Sequence, residues 1–201
     1  MVVQVSISFF KFHYFQFCLQ EYIANPFLIN GLKFDLRLYV LLTSIEPVKL
    51  YIYEDGLVRF ATVPYSNDPA HIGNNMIHLT NYSINKNSEK FVTNEQPGEY
   101  SGHKWNLKTL WKYLEEELGL DWRPVWEATK DVCVKTMLCG QGQMKTVAEE
   151  QIQSDYNCYK LWGFDVFLDQ DLKPWLLEVI IRGLLELCEQ LYCLVQPLVE
   201  K

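Results

Sequence analysis

CYKLWGFDVFLDQDLKPWLLEVI, residues 158–180, is the stretch on which the fold turns. Apolar runs at about 159–168 and 173–180 flank Asp169-Gln170-Asp171-Leu172. That pattern predicts antiparallel strands joined as a hairpin. Asp165 sits between Phe164 and Val166, and Glu178 between Leu177 and Val179. An ionised carboxylate inside an apolar strand is costly unless something pairs with it. With a loop of residues 169–172, Leu168 faces Lys173 and Asp165 faces Leu176, so Glu178 lies diagonal to Asp165 on the same face. A loop of odd length puts them on opposite faces. Paired carboxylates on one sheet face suit a hard cation such as magnesium, which takes oxygen ligands and keeps positions for phosphate oxygens. Two solvent-facing acids on a half-exposed sheet explain the hairpin equally well.

Upstream, KFDLRLYVLLTS at 33–44 reads as a largely buried strand. Lys33, Asp35 and Arg37 alternate along one of its faces, with Phe34, Leu36 and Leu38 on the other. The charged face is either solvated or a polar site. KLYIY and LVRFAT flank Glu54-Asp55-Gly56, which predicts a hairpin whose glycine accepts positive φ at the turn. Arg59 stands on the outgoing strand and offers a planar fork for carboxylate or phosphate. Asn, Ser, Gly and Pro dominate 66–103, so much of it should be irregular. Within it, HLTNYSINK at 78–86 concentrates hydrogen-bonding groups, as a plain turn also would. Lys104 follows in a loop and taken alone is a surface lysine.

Two helices are expected next. Trp105, Leu107, Leu110, Trp111, Leu114 and Leu118 recur at helical spacing, with Gly119 as a stop. Val125, Trp126, Thr129, Val132, Cys133 and Met137 repeat the pattern. These aromatics read as core rather than as a ligand box. The tail 181–201 contains LLELCEQLYCLV, which reads as a short helix ending near Pro197. The opening MVVQVSISFFKFHYFQF alternates loosely; it is either a strand or sequence outside the fold.

The 201 residues suffice for one core, and 49% hydrophobic with 14% aromatic content predicts folding rather than disorder. A net charge of -7 argues against a general nucleic-acid binder, but it leaves room for a small nucleotide held by a local cation cluster. No run approaches the roughly 20 apolar residues of a membrane span. The 6 cysteines form no CxxC pair and have no histidine at metal-ligand spacing, so reduced thiols are expected.

Taken together, QEYIANPFLINGLKFDLRLYVLLTS, YIYEDGLVRFAT, HLTNYSINK, GHKW and LWGFDVFLDQDLKPWLLEV resemble the tubulin tyrosine ligase-like family, in its order and at similar spacing. The motifs are more similar to the glutamate-adding branch than to the tyrosine-adding founder. The resemblance implies an α+β chain: the C-terminal half of an ATP-grasp fold, mostly antiparallel sheet with packed helices. That portion would occupy 18–180, with a non-family extension at 1–17 and a non-family helical tail at 181–201.

It implies ATP and Mg2+ as cofactors. Gln20, Glu21, Tyr22 and Ile23 would form the hinge at adenine. Lys33 and Asp35 would hold the nucleotide, and Thr80 and Asn81 would lie near phosphates and ribose. Arg59, Tyr82, Ser83 and Lys104 would bind incoming glutamate, while Asp165 and Glu178 would hold magnesium; Arg59, Asp165 and Glu178 form the implied catalytic set. The implied reaction phosphorylates an acceptor glutamate carboxylate, and the amine of free L-glutamate then attacks the acyl phosphate. Implied partners are tubulin and microtubules through their acidic tails, in the cytoplasm and cytoskeleton, including cilium or basal body.

The pattern breaks at both ends. The family follows LLEV with Asn, an oxygen donor two residues after the glutamate, whereas Ile180 offers only hydrocarbon. An ATP-grasp domain also needs an upstream half, and residues 1–17 do not resemble one. The expectation is a partial ligase with little activity alone. The alternatives are an inactive homologue that binds microtubules or a partner, or a ligase for glycine or another amino acid.

Overall fold

The computed structural model describes residues 3–12, 15–94, 100–151 and 159–181. In chain order the strands and helices are β1 (Val3–Phe12), β2 (Phe15–Tyr22), β3 (Leu28–Ile29), β4 (Leu32–Ile45), β5 (Val48–Ile52) and β6 (Leu57–Phe60), then short helices α1 (Asn75–His78) and α2 (Tyr82–Asn85). They continue with β7 (Lys104–Asn106), α3 (Leu107–Glu116), α4 (Arg123–Gln151), β8 (Lys160–Leu168) and β9 (Pro174–Ile181). A single 3-10 turn, Pro69–His71, also interrupts the irregular stretch. No described helix is long and apolar enough to cross a membrane. The helix expected in the tail lies outside the described residues.

The opening segment forms strands, β1 pairing antiparallel with β2 as a separate ribbon. The main sheet runs β7-β6-β4-β8-β9, with β3 and β5 also on β4, and every described pairing is antiparallel. The mixed helix-and-sheet architecture with an antiparallel sheet is therefore as the sequence implied.

β4 organises the sheet. Its Phe34, Leu36, Leu38, Val40 and Leu42 are buried against Val58, Phe60, Phe164 and Val166, and against Leu110, Trp111, Leu114, Trp126 and Met137 of α3 and α4. This is the period-2 face of a strand meeting the apolar stripes of helices. Asn106 caps α3 by accepting the Thr109 N–H at 2.7 Å, and Gly119 ends that segment at φ 64°. Trp105 belongs to β7 rather than the helix, and Leu118 is exposed. α4 runs to Gln151, well beyond Met137, the last residue of that apolar pattern. Cys133 is buried, which pushes its thiol up to about 12, and Cys139 is exposed; both are free thiols.

Two expectations need correction. β5 and β6 do not pair with each other: β5 pairs with Val40–Ile45 and β6 with Phe34–Arg37, end to end along one edge of β4. Glu54-Asp55-Gly56 is thus a link within an interrupted strand, not a hairpin turn. Gly56 is not among the positive-φ residues. Its need is steric, because a Cβ there would sit 2.6 Å from the Arg37 carbonyl oxygen. Asp55 instead fastens α3, its Oδ1 accepting the Leu107 N–H at 2.9 Å.

The last hairpin has a different register from the one expected. Leu168 faces Pro174 and Val166 faces Leu176, so the loop is 169–173. A regular ladder of that parity would put Leu177 opposite Asp165 and turn Glu178 away. A β-bulge after Leu176 takes up the extra residue, and Asp165 faces Glu178 directly. The shared face survives, by a bulge rather than by an even loop.

Candidate active site

The face of the sheet away from the helices is a charged array laid out by strand pairing. Asp35 on β4 faces Arg59 on β6, which faces Lys104 on β7. Two residues along, Arg37 on β4 faces Asp165 on β8, which faces Glu178 on β9. With Lys33, four cations meet three carboxylates on one face. Lys33, Asp35, Arg37 and Asp165 are all buried. The charged-face alternative of a solvated strand is therefore excluded.

Buried charges persist only when paired, and these form a chain. The Arg37 guanidinium donates through Nε to Asp165 Oδ1 and through Nη2 to Oδ2, the latter at 2.9 Å. Arg59 donates Nε to Asp35 Oδ1 at 2.8 Å and Nη2 to Asp35 Oδ2. The same Arg59 Nη2 lies 2.8 Å from Asp165 Oδ2. Burial pushes the Asp35 carboxyl above its ordinary value even against the pull of Arg59. At Asp165 burial pushes upward too, but the Arg37 hydrogen bond and the charges of Arg59 and Arg37 outweigh it and hold the group below the usual carboxylate range.

This array borders two cavities. The first, about 360 Å³, is lined by Lys33, Asp35, Arg59, Thr80, Asn81, Asp165 and Glu178, with His78, Leu79 and Leu177. The second, about 280 Å³, is lined by Arg37, Tyr39, Arg59, Thr80, Tyr82, His103 and Lys104 among others. Arg59 and Thr80 belong to both walls. Ser83 lines neither. Gln20 and Glu21 lie in β2, whose last residue is Tyr22, and Ile23 follows it; Glu21, Tyr22 and Ile23 line neither cavity.

Tyr22 reaches the first cavity indirectly. Its hydroxyl lies 2.9 Å from His78 Nδ1, while His78 Nε2 lies 3.2 Å from the His71 carbonyl oxygen. A carbonyl only accepts, so Nε2 carries the proton and Nδ1 accepts from the tyrosine. Lys33 Nζ donates to the His78 carbonyl at 2.9 Å and lies over the Tyr22 and Phe167 rings. Burial pulls its pKa down to about 8 despite the nearby Asp35.

Asn85 holds the segment that carries Thr80 and Asn81. Its amide donates to the Leu79 and Asn81 carbonyls at 2.8 and 3.2 Å and accepts the Thr62 N–H and hydroxyl at 2.9 and 3.0 Å. Sequence reasoning gave no role to Asn85, His78, His103 or Arg37. Arg37 stood out by its place in the Lys-Phe-Asp-Leu-Arg alternation, and His78, Asn85 and His103 fall inside the quoted stretches HLTNYSINK and GHKW, but His78 and Asn85 end one-turn helices and His103 precedes β7, where no periodicity marks a facing partner.

A divalent cation fits this donor set in part. Glu178 is exposed and directly opposite Asp165, as an oxygen-ligand pair requires. Yet both Asp165 oxygens already accept from guanidinium groups, and no cluster of three His, Cys, Asp or Glu residues able to hold a metal occurs among the described residues. Ile180 faces Gly163 and does not line the cavity. The arrangement suits an ion that draws most of its oxygens from a bound phosphate, the usual habit of magnesium, rather than an all-protein cage.

Comparison with known proteins finds relatives that cover most of this chain. The sequence model of the tubulin-tyrosine ligase family matches residues 8–185. Human tubulin monoglutamylase TTLL4 is 44% identical over 162 residues, covering 81% of this chain and 13% of that protein. Human tubulin polyglutamylase TTLL5 is 43% identical over 160 residues, 79% of this chain and 12% of that protein. Tubulin polyglutamylase ttll-4 of Caenorhabditis elegans is 41% identical over 162 residues, 81% of this chain and 26% of that protein. The chain thus spans from about an eighth to about a quarter of the length of these relatives.

Proposed function

This chain belongs to the tubulin-tyrosine ligase family, and on that premise we propose that it is part of an ATP-dependent ligase that joins glutamate to glutamate side chains of tubulin. The fold is then the C-terminal half of an ATP-grasp unit. One observation carries the reading: a single sheet face presents Lys33, Arg37, Arg59 and Lys104 beside Asp35, Asp165 and Glu178, at the junction of two cavities.

The first cavity takes the nucleotide. Lys33 meets phosphate oxygens, Asp35 and Asn81 orient the ribose and phosphates, and the base extends beyond the cavity lining towards the Tyr22 segment. Glu178 and the remaining acceptor capacity of Asp165 would hold magnesium, which supplies charge neutralisation for the phosphates. The second cavity takes the incoming amino acid beside Arg59, Tyr82 and Lys104. A carboxylate is a poor electrophile, so the acceptor glutamate first takes the terminal phosphoryl group of ATP. The amine of free glutamate then attacks that carbonyl carbon, the amide C–N bond forms, inorganic phosphate leaves with the C–O electron pair, and the proton lost from the attacking nitrogen passes to water. Arg59, on the shared wall, stabilises negative charge as it builds on the leaving phosphate. The setting implied is the microtubule surface in cytoplasm or cilium.

The test is ATP-dependent incorporation of labelled L-glutamate into tubulin by the full-length protein, beside its Glu178→Gln variant. The expected result is incorporation that needs ATP and disappears in the variant. Incorporation without ATP, or unchanged in the variant, sinks the assignment.

A second reading has its own support. The double arginine grip on Asp165 and the hydrocarbon at Ile180 both favour a homologue that binds tubulin without ligating. Such a protein would co-sediment with microtubules but incorporate no label. Selection of glycine or another amino acid would appear in the same assay as label transferred from that substrate instead.

A further inference from the structure

His103 stands at the edge of the second cavity, fixed from several sides. Its N–H donates to the Val92 carbonyl at 3.0 Å, and its carbonyl accepts the Phe60 N–H at 3.1 Å, which places it immediately before β7. The ring stacks on Phe91 with centroids 5.7 Å apart and planes 27° from parallel. Nδ1 accepts the Val92 N–H at 3.0 Å. A nitrogen that accepts from a backbone amide carries no proton, so the neutral ring bears its hydrogen on Nε2. Burial disfavours the imidazolium and keeps the ring in this neutral form, since it lowers the pKa.

Nothing among the described residues uses that Nε2–H, although the ring lines the cavity. Its neighbours have a common sign. Arg59 and Arg37 are committed to Asp35 and Asp165, but Lys104 is exposed and makes no ion pair among the described residues. The cavity therefore offers an oriented neutral donor beside an uncommitted ammonium, a combination suited to a carboxylate held by both.

We propose that His103 is a specificity residue, donating its Nε2–H to the side-chain carboxylate of the incoming amino acid, so that the cavity prefers a dicarboxylic amino acid to glycine. This rests on the second cavity being the amino-acid site. The ring's task of knitting Val92 to the sheet needs only Nδ1 and the backbone, so the two roles separate by substitution. His103→Asn keeps an acceptor where Nδ1 stands and has no donor where Nε2 stands.

The experiment titrates the intact chain with L-glutamate and, separately, glycine in the presence of MgATP, following the side-chain nitrogen signals of His103 and Lys104 by NMR. Expected are a neutral Nε2–H tautomer, shifts of both residues with glutamate, and no His103 shift with glycine. His103→Asn should bind glutamate about tenfold more weakly, the worth of one hydrogen bond to a charged group, and glycine as before. If glutamate moves neither signal, the amino-acid reading of the cavity fails and the inference with it. If Lys104 responds while His103 does not, or if the Asn variant weakens both amino acids equally, the inference alone is overturned.

Discussion

Lys33 is 2% exposed, yet it carries a charge-bearing group to the cavity floor. Burial lowers its pKa to about 8, below its ordinary 10.5. Two consequences have opposite signs. On the proposed role of Lys33 at the phosphates, nucleotide affinity should fall as pH rises through about 8, because the ammonium is lost. Folding should gain stability as pH rises from about 8 towards 10.5, because the unfolded chain then binds the proton more tightly than the native one. Nucleotide titrations and urea denaturation across that window read the two effects, and Lys33→Met should abolish both.

Arg59 serves two carboxylates at once, so Arg59→Ala is not a clean test of substrate binding. It leaves buried Asp35 with no guanidinium and Asp165 with one, and should cost about 3 kcal/mol in chemical denaturation. Glu178→Gln is the contrasting case. The residue is exposed, so the variant should melt like the parent while losing ATP-dependent incorporation. A large drop in melting temperature there would show that Glu178 is structural.

At the scale of elements, the run from β5 to β6 shows how one edge of β4 is shared. The chain passes the Arg37 carbonyl so closely that only glycine fits at 56. Gly56→Ala should push β6 off β4, costing about 2 kcal/mol, an overpacking magnitude, and should loosen the grip of Arg37 on Asp165. Thermal melts measure the first effect and side-chain NMR of Arg37 the second. Wild-type behaviour in both would mean the link relaxes without disturbing the strand. The hairpin β8-β9 depends likewise on its bulge, since the parity of loop 169–173 would otherwise bury Glu178's partner position under Leu177.

For the whole molecule, the division of labour is between faces of one sheet. The helix-covered face holds the core: Phe164 is fully buried among β4, α3 and α4 residues, and Phe164→Ala should cost about 4 kcal/mol. That variant should unfold at markedly lower urea without altering the charged face in whatever fraction stays native. The polar face adds little to stability, because chains of buried ion pairs roughly break even against apolar packing.

Local order determined much of this from the sequence alone. Alternation marked β4, apolar runs on either side of a turn marked β8 and β9, helical spacing marked α3 and α4, and the Lys-Phe-Asp-Leu-Arg run already separated an apolar from a charged face. These are short-range properties of the chain, readable because side-chain direction repeats every two or 3.6 residues. What the tertiary structure alone decided is which charges meet. Arg37 and Asp165 are 128 positions apart, and nothing local indicates that one will grip the other. The end-to-end seating of β5 and β6 and the bulge that turns Glu178 back towards Asp165 are matters of strand register, where a slip of one residue reverses every side chain.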